Sequence, residues 1–148
     1  LNKMESLYQL TNDTSVKPDT FTYVSVMEAY AESRHKEAAT ISEKLLSNIT
    51  NLDISVYAAL INAYTKSSSS SFSSSSTNQY NTTVIHRAEQ LLADAQYRYQ
   101  YHNETNMKPN SILYGAVLQA YAKTNSKYGL EKAKALLQQC EDQYKINS

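Results

Sequence analysis

The sequence predicts an all-α protein built as a stack of helix-turn-helix repeats, and three observations carry that prediction. A ten-residue pattern occurs three times: YVSVMEAYAE (Tyr23 to Glu32), YAALINAYTK (Tyr57 to Lys66) and YGAVLQAYAK (Tyr114 to Lys123). The first two copies start 34 residues apart, and a period between about 20 and 50 residues is the signature of stacked structural units. Each copy is followed by a second amphipathic segment that aligns on one alanine: Ala38, Ala88 and Ala133.

Residues 1–19 open with LNKMESLYQL, where Leu1, Met4, Leu7, Tyr8 and Leu10 form one helical stripe. This segment is expected to be the second helix of a truncated repeat. The next repeat spans 20–53. Within its first helix, Tyr23, Val26, Met27 and Tyr30 fall at i, i+3, i+4 and i+7, which places them on one buried face. The corresponding residues are Tyr57, Leu60, Ile61 and Tyr64 in the repeat at 54–110, and Tyr114, Val117, Leu118 and Tyr121 in the repeat at 111–148. Ala29, Ala63 and Ala120 are small enough to let a neighbouring helix approach closely. Lys-Pro-Asp-Thr (17–20) and Lys-Pro-Asn-Ser (108–111) are helix-start signals: Pro holds the residue before it extended, and Asp19 or Asn110 can accept from free amides of the first turn. Asp53 takes that place in the middle repeat.

The second helices are expected at 35–48, 85–96 and 130–141. The 57-residue spacing between the second and third copies has two sources. One is the serine tract SSSSSFSSSSTNQYNTT, from Ser67 to Thr83, between the paired helices. Serine buries too little to offset the backbone entropy of ordering, so a disordered surface insertion is expected there. The other is YRYQYHNETNM (97–107), which lengthens the connection to the next repeat.

Charge is balanced, with 14 Lys plus Arg against 14 Asp plus Glu, which argues against a strongly basic nucleic-acid binder unless charge is segregated by face. Cys140 is the one cysteine, so no internal disulfide can form. No apolar run approaches the ~18 residues of a membrane span. The chain starts at Leu1, without an initiator Met or a basic leader, and is read as an excerpt of a longer protein.

Two helices per unit entered through Pro-Asp resembles the pentatricopeptide repeat family. Its first helix reads approximately V-T-Y-N-x-L-I-x-A-Y-x-K after K-P-D, against KPDTFTYVSVMEAYAE, LDISVYAALINAYTK and KPNSILYGAVLQAYAK here. The tetratricopeptide repeat shares the period, but its first helix wants a Trp and a Gly; this chain has no Trp. The resemblance covers essentially the whole chain and implies a right-handed α-solenoid of helix-turn-helix repeats.

Members of that family bind single-stranded RNA, usually in mitochondria or chloroplasts, reading one base per repeat along a groove lined by the first helices. By resemblance, the base-edge pairs are Val24 with Asp53 and Ala58 with Asn110, with Gly115 paired to a residue beyond the excerpt. The family favours Asn, Ser or Thr where this chain has Val, Ala and Gly, and an apolar side chain neither donates nor accepts. Base-sandwiching positions correspond to Phe21, Ser55 and Ile112, where Ser55 departs from the aliphatic pattern. Phosphate-facing positions correspond to Lys66 and Lys123, with Glu32 the departure.

The expected role is therefore a non-catalytic RNA-binding segment in organellar RNA processing, stability, editing or translation, located in a mitochondrion or plastid. The alternative is a helical scaffold that binds a protein partner through the same face, favoured by neutral charge and by Glu28 and Glu32. No cofactor, small-molecule substrate or membrane contact is expected. His35, His86, His102 and Cys140 lack metal-ligand spacing, and the two glycines cannot build a phosphate-cradling loop. No nucleophile-and-base arrangement stands out, and the Asp cluster of the nuclease domain carried by some family members is not seen. Tyr97, Arg98, Tyr99, Tyr101 and His102 interleave aromatic and basic groups as nucleic-acid surfaces do, but some of these rings are expected to cover the end of the second helix and the rest to be exposed. The N-x-Thr sequons at Asn12, Asn48, Asn81 and Asn103 are attributed to composition.

Overall fold

A computed structural model describes residues 1–67 and 77–147, and among them every regular element is helical. In chain order the helices are α1 (Asn2–Thr11), α2 (Thr20–Glu32), α3 (Ala38–Leu46), α4 (Ile54–Ser67), α5 (Thr77–Tyr101), α6 (Ser111–Lys123) and α7 (Lys127–Asn147). Short 3-10 turns at Thr14–Val16 and Thr105–Met107 precede α2 and α6.

The three pattern-bearing helices are α2, α4 and α6, here called leading helices. Each starts at the expected cap. Asp19 is extended, with φ −103° and ψ 178°, and accepts from the Thr22 amide at 2.8 Å and the Thr22 hydroxyl at 2.7 Å. Those bonds, the hydroxyl's first and the amide's second, hold the Asp19 carboxyl below its usual pKa. Asn110 accepts from the amides of Ile112 and Leu113, at 3.0 and 3.2 Å. Asp53 accepts from those of Ser55 and Val56, at 2.9 and 3.3 Å. These bonds satisfy amides that have no partner inside the helix. Arg34 and Asn125, each four residues past the second tyrosine of its helix, take left-handed φ of 52° and 45° and turn the chain toward the following helix.

Packing follows chain order. α2 lies against α4 and α4 against α6, so the leading helices are successive neighbours. Each leading helix pairs with the helix that follows it: α2 with α3, α4 with α5, α6 with α7. The second helix of one hairpin also packs on the leading helix of the next, α3 on α4 and α5 on α6. With α2, α3, α5 and α6 around it, α4 is enclosed, and Val56, Leu60, Ile61 and Ala63 are fully buried.

The apolar stripe buries as expected at Tyr23, Met27, Tyr57, Leu60, Ile61, Val117 and Tyr121; Val26, Tyr30, Tyr64, Tyr114 and Leu118 are half-buried. The small-residue expectation holds at two of its three sites. Ala63 and Ala120 are fully buried, and Ala63 packs with Ala31 and Ala38. Ala29 is exposed, because among the described residues no leading helix precedes α2.

α5 is far longer than the segment expected at 85–96. Ser67 is the last residue of α4, residues 77–83 already belong to α5, and the helix runs on through Tyr97, Arg98 and Tyr99 to Tyr101. Of the stretch read as a disordered insertion, residues 68–76 lie outside the described residues. α7 likewise exceeds the expected 130–141 at both ends, while α3 is shorter than 35–48. None of the described helices is long and apolar enough to cross a membrane.

Candidate nucleic-acid interface

Because α2, α4 and α6 lie side by side, the residues they share by register form rows across three helices. One stripe runs down each helix at spacings of three, four and four residues: Phe21, Val24, Glu28, Glu32; Ser55, Ala58, Asn62, Lys66; and Ile112, Gly115, Gln119, Lys123. Such spacing keeps all four positions on one helical face. The stripe contains all the expected stacking and phosphate positions and the three residues that follow the first tyrosines.

At the helix starts, Phe21 is 78% exposed and Ile112 60%, so both rings or branches are open to a stacking partner, while Ser55 between them is half-buried. In the second row Val24 and Ala58 are buried, at 8% and 4%, and Gly115 is half-buried. Val24 and Ala58 therefore present almost no surface to a base edge, and Gly115, with open space where a Cβ would stand, offers none of a side chain's polar groups. Their expected partners, Asp53 and Asn110, hold the α4 and α6 N-termini by the caps described above, Asn110 exposed and Asp53 half-buried.

The third row is Glu28, Asn62 and Gln119, none of them at a stacking, base-edge or phosphate position of the family pattern. Glu28 and Gln119 are exposed, and Asn62 between them is half-buried, with a buried side-chain oxygen that has no hydrogen-bond partner among the described residues. A buried amide oxygen without a partner costs about 1–3 kcal/mol until something donates to it. The same helical spacing that picks out Val24 picks out Glu28, Asn62 and Gln119, so the signal was present in the sequence.

The fourth row carries the charges. Lys66 on α4 donates to Glu32 on α2, an ion pair that joins adjacent leading helices. Lys123 on α6 is exposed and has no ion-pair partner among the described residues. With Glu28 in the third row, the stripe holds two carboxylates and two ammonium groups, which matches the neutral composition.

Rigid seams hold these rows in place, and two consecutive seams are built alike. The Tyr64 hydroxyl on α4 donates to Glu43 on α3 at 2.9 Å, and Arg87 on α5 closes a two-pronged bond to the same carboxylate at 2.7 and 3.0 Å. One hairpin on, the Tyr121 hydroxyl on α6 donates to Glu89 on α5 at 3.0 Å, and Lys132 on α7 pairs with Glu89 at 2.8 Å. Arg87 and Lys132 occupy the same place, one residue before the aligned alanines Ala88 and Ala133. Each seam thus joins three helices through one carboxylate. The first tyrosines are satisfied too: Tyr23 by Glu5 at 3.0 Å, Tyr57 by Asp94, and Tyr114 by Gln143 at 3.2 Å. Burial, and then the bond to a carboxylate, push the pKa of Tyr57 and of Tyr121 well above the ordinary phenol value. These acceptors come from other helices at differing offsets, so no single-helix pattern announces them.

Among the described residues no three metal-ligating side chains converge. No protein-family model, curated protein or solved structure matches the chain.

Proposed function

We propose that these hairpins form part of a right-handed α-solenoid of the pentatricopeptide type, and that the exposed stripe of its leading helices binds single-stranded RNA without catalysing a reaction. The observation that carries this reading is the side-by-side placement of α2, α4 and α6, with Phe21, Ile112 and Lys123 open on one shared stripe. Stacking on an exposed ring is indifferent to base identity and is worth about 1–3 kcal/mol per base. An unpaired lysine adds a phosphate contact. Buried Val24 and Ala58 supply no polar readout, so the segment holds RNA with little sequence preference, and what discrimination there is falls to Glu28, Asn62 and Gln119. Its role is to shield or present a strand for processing, editing, stability or translation in an organelle.

The Glu32–Lys66 ion pair favours a second reading, a scaffold for a protein partner on the same face, because it spends a lysine that would otherwise meet phosphate. A salt titration of labelled single-stranded RNA separates the two. The RNA reading expects saturable binding at low salt, with a log–log slope of about −0.7 for each phosphate contacted. A flat signal at low salt would exclude RNA and leave the protein scaffold.

A further inference from the structure

The outer face of α7 is apolar and exposed, and internal equivalence identifies what fits it. Alignment on Ala38, Ala88 and Ala133 makes Leu130 the counterpart of Ile85 and of His35, which is exposed and precedes α3, and Leu137 the counterpart of Ser42 and Leu92. Tyr144 then corresponds to Ile49 and Tyr99. Ile85, Ser42, Leu92 and Ile49 are all buried, and Tyr99 is half-buried. Leu130, Leu137 and Tyr144 are 54%, 52% and 76% exposed. These three lie seven residues apart, two helical turns each, and therefore form one seam along α7.

The inward face of α7 is already satisfied. Gly129 and Leu136 are buried and Ala133 and Cys140 half-buried, and α7 packs on α6. The exposed seam is the other flank, the one that α3 and α5 turn toward α4 and α6. On α5, Glu89 of this flank takes the Tyr121 hydroxyl of the following leading helix, while the Gln96 amide donates to its Tyr114 oxygen, whose own proton goes to Gln143. On α3, Glu43 takes the Tyr64 hydroxyl. α7 keeps one of these acceptors in a matching place: Gln138 corresponds to Glu43, whereas Lys134 and Glu141 stand where Glu89 and Gln96 do. All three are exposed.

We infer that α7 docks one further helix of the leading type: an amphipathic helix with two tyrosines seven residues apart, aliphatic residues between them, and a small residue just before the second. Its aliphatic residues cover Leu130 and Leu137, and the hydroxyl of its second tyrosine donates to Gln138, as that of Tyr64 does to Glu43. The surface continues the α3–α4 and α5–α6 interfaces rather than resembling a ligand cleft. This inference is independent of RNA binding, and loss of one leaves the other standing.

The test uses the full 148-residue chain with a synthetic hairpin of residues 17–51 as the helix donor. Hydrogen exchange of the α7 amides is followed as the hairpin is added, and binding is measured by anisotropy of the labelled hairpin. Saturable binding with slowed exchange confined to residues 127–147 is expected. The double substitution Leu130→Asp and Leu137→Asp, at exposed positions that leave the fold intact by circular dichroism, should weaken binding by about tenfold or more. A second arm appends residues 17–51 after Ser148 and reads the same slowing within one molecule, reversed by the same pair of substitutions. No slowing in either arm would overturn the inference, as would binding unaffected by the substitutions. Self-association of the chain alone, abolished by those substitutions, would overturn the choice of occupant in favour of a second copy.

Discussion

Tyr64 and Tyr121 show how a residue with an apolar ring and a polar tip can serve a seam between helices. The ring fills apolar space, and the hydroxyl is carried to a carboxylate at the edge, where a cation completes the balance. Burial of such a phenol favours its protonated form, so stability should depend on alkaline pH. The unfolded chain ionises its tyrosines near pH 10, while Tyr57 and Tyr121 hold their protons to higher pH. Their contribution is therefore complete below about pH 10 and is lost as pH rises through the folded values. Urea midpoints at pH 8, 10 and 11 should fall over that range, and fall less steeply in a Tyr57→Phe, Tyr121→Phe variant; equal slopes would contradict this. Ser42 makes the opposite case. Its hydroxyl, on α3, is fully buried without a hydrogen-bond partner among the described residues. Ser42→Ala should raise stability by about 1 kcal/mol, read as a shift in the urea midpoint.

At the scale of helices, what was legible in the sequence was whatever one helix determines by itself. Leading-helix starts follow from Asp19, Asp53 and Asn110, because a cap is a contact within three residues. Helix ends set by packing were not legible. The start of α5 lies among Asn and Thr, whose helix propensity is weak, and the apolar period that signals a helix begins only at Val84. The candidate stripe was half legible: Phe21, Ile112, Lys66 and Lys123 fall on it, but burial of Val24 and Ala58 depends on the neighbouring helix. The two glycines are an element-scale test. A Cβ on Gly129 would overlap the Tyr121 carbonyl oxygen and the Thr124 hydroxyl, so the α6–α7 turn closes only over a bare Cα. Gly129→Ala should cost about 1–3 kcal/mol. Gly115 has no atom within 4 Å of an added Cβ, so Gly115→Ala inside α6 should stabilise by about 0.5–1 kcal/mol. Thermal melts of the two variants should move in opposite directions.

Across the whole molecule, α4 is the keystone: four helices pack on it, and its loss would separate the first hairpin from the last. Leu60→Ala, at a fully buried position, should cost about 2–5 kcal/mol and lower the cooperativity of unfolding. Leu137→Ala, on the open flank of α7, should change stability by no more than about 0.5 kcal/mol. The leading-helix surface has its own charge test. Glu32→Gln removes a carboxylate and releases Lys66, so RNA affinity at low salt should rise roughly three- to tenfold and its salt slope steepen. Unchanged affinity would mean that Lys66 lies off the path of the strand.

The most direct test of the interface is to photocrosslink a thiouridine-substituted single strand to the chain and map the adducts by peptide. Adducts on residues 20–32, 54–67 and 111–123, centred on the stripe from Phe21 to Lys123, are the predicted result. Adducts confined to α3, α5 and α7, with the leading helices unmarked, would contradict the account.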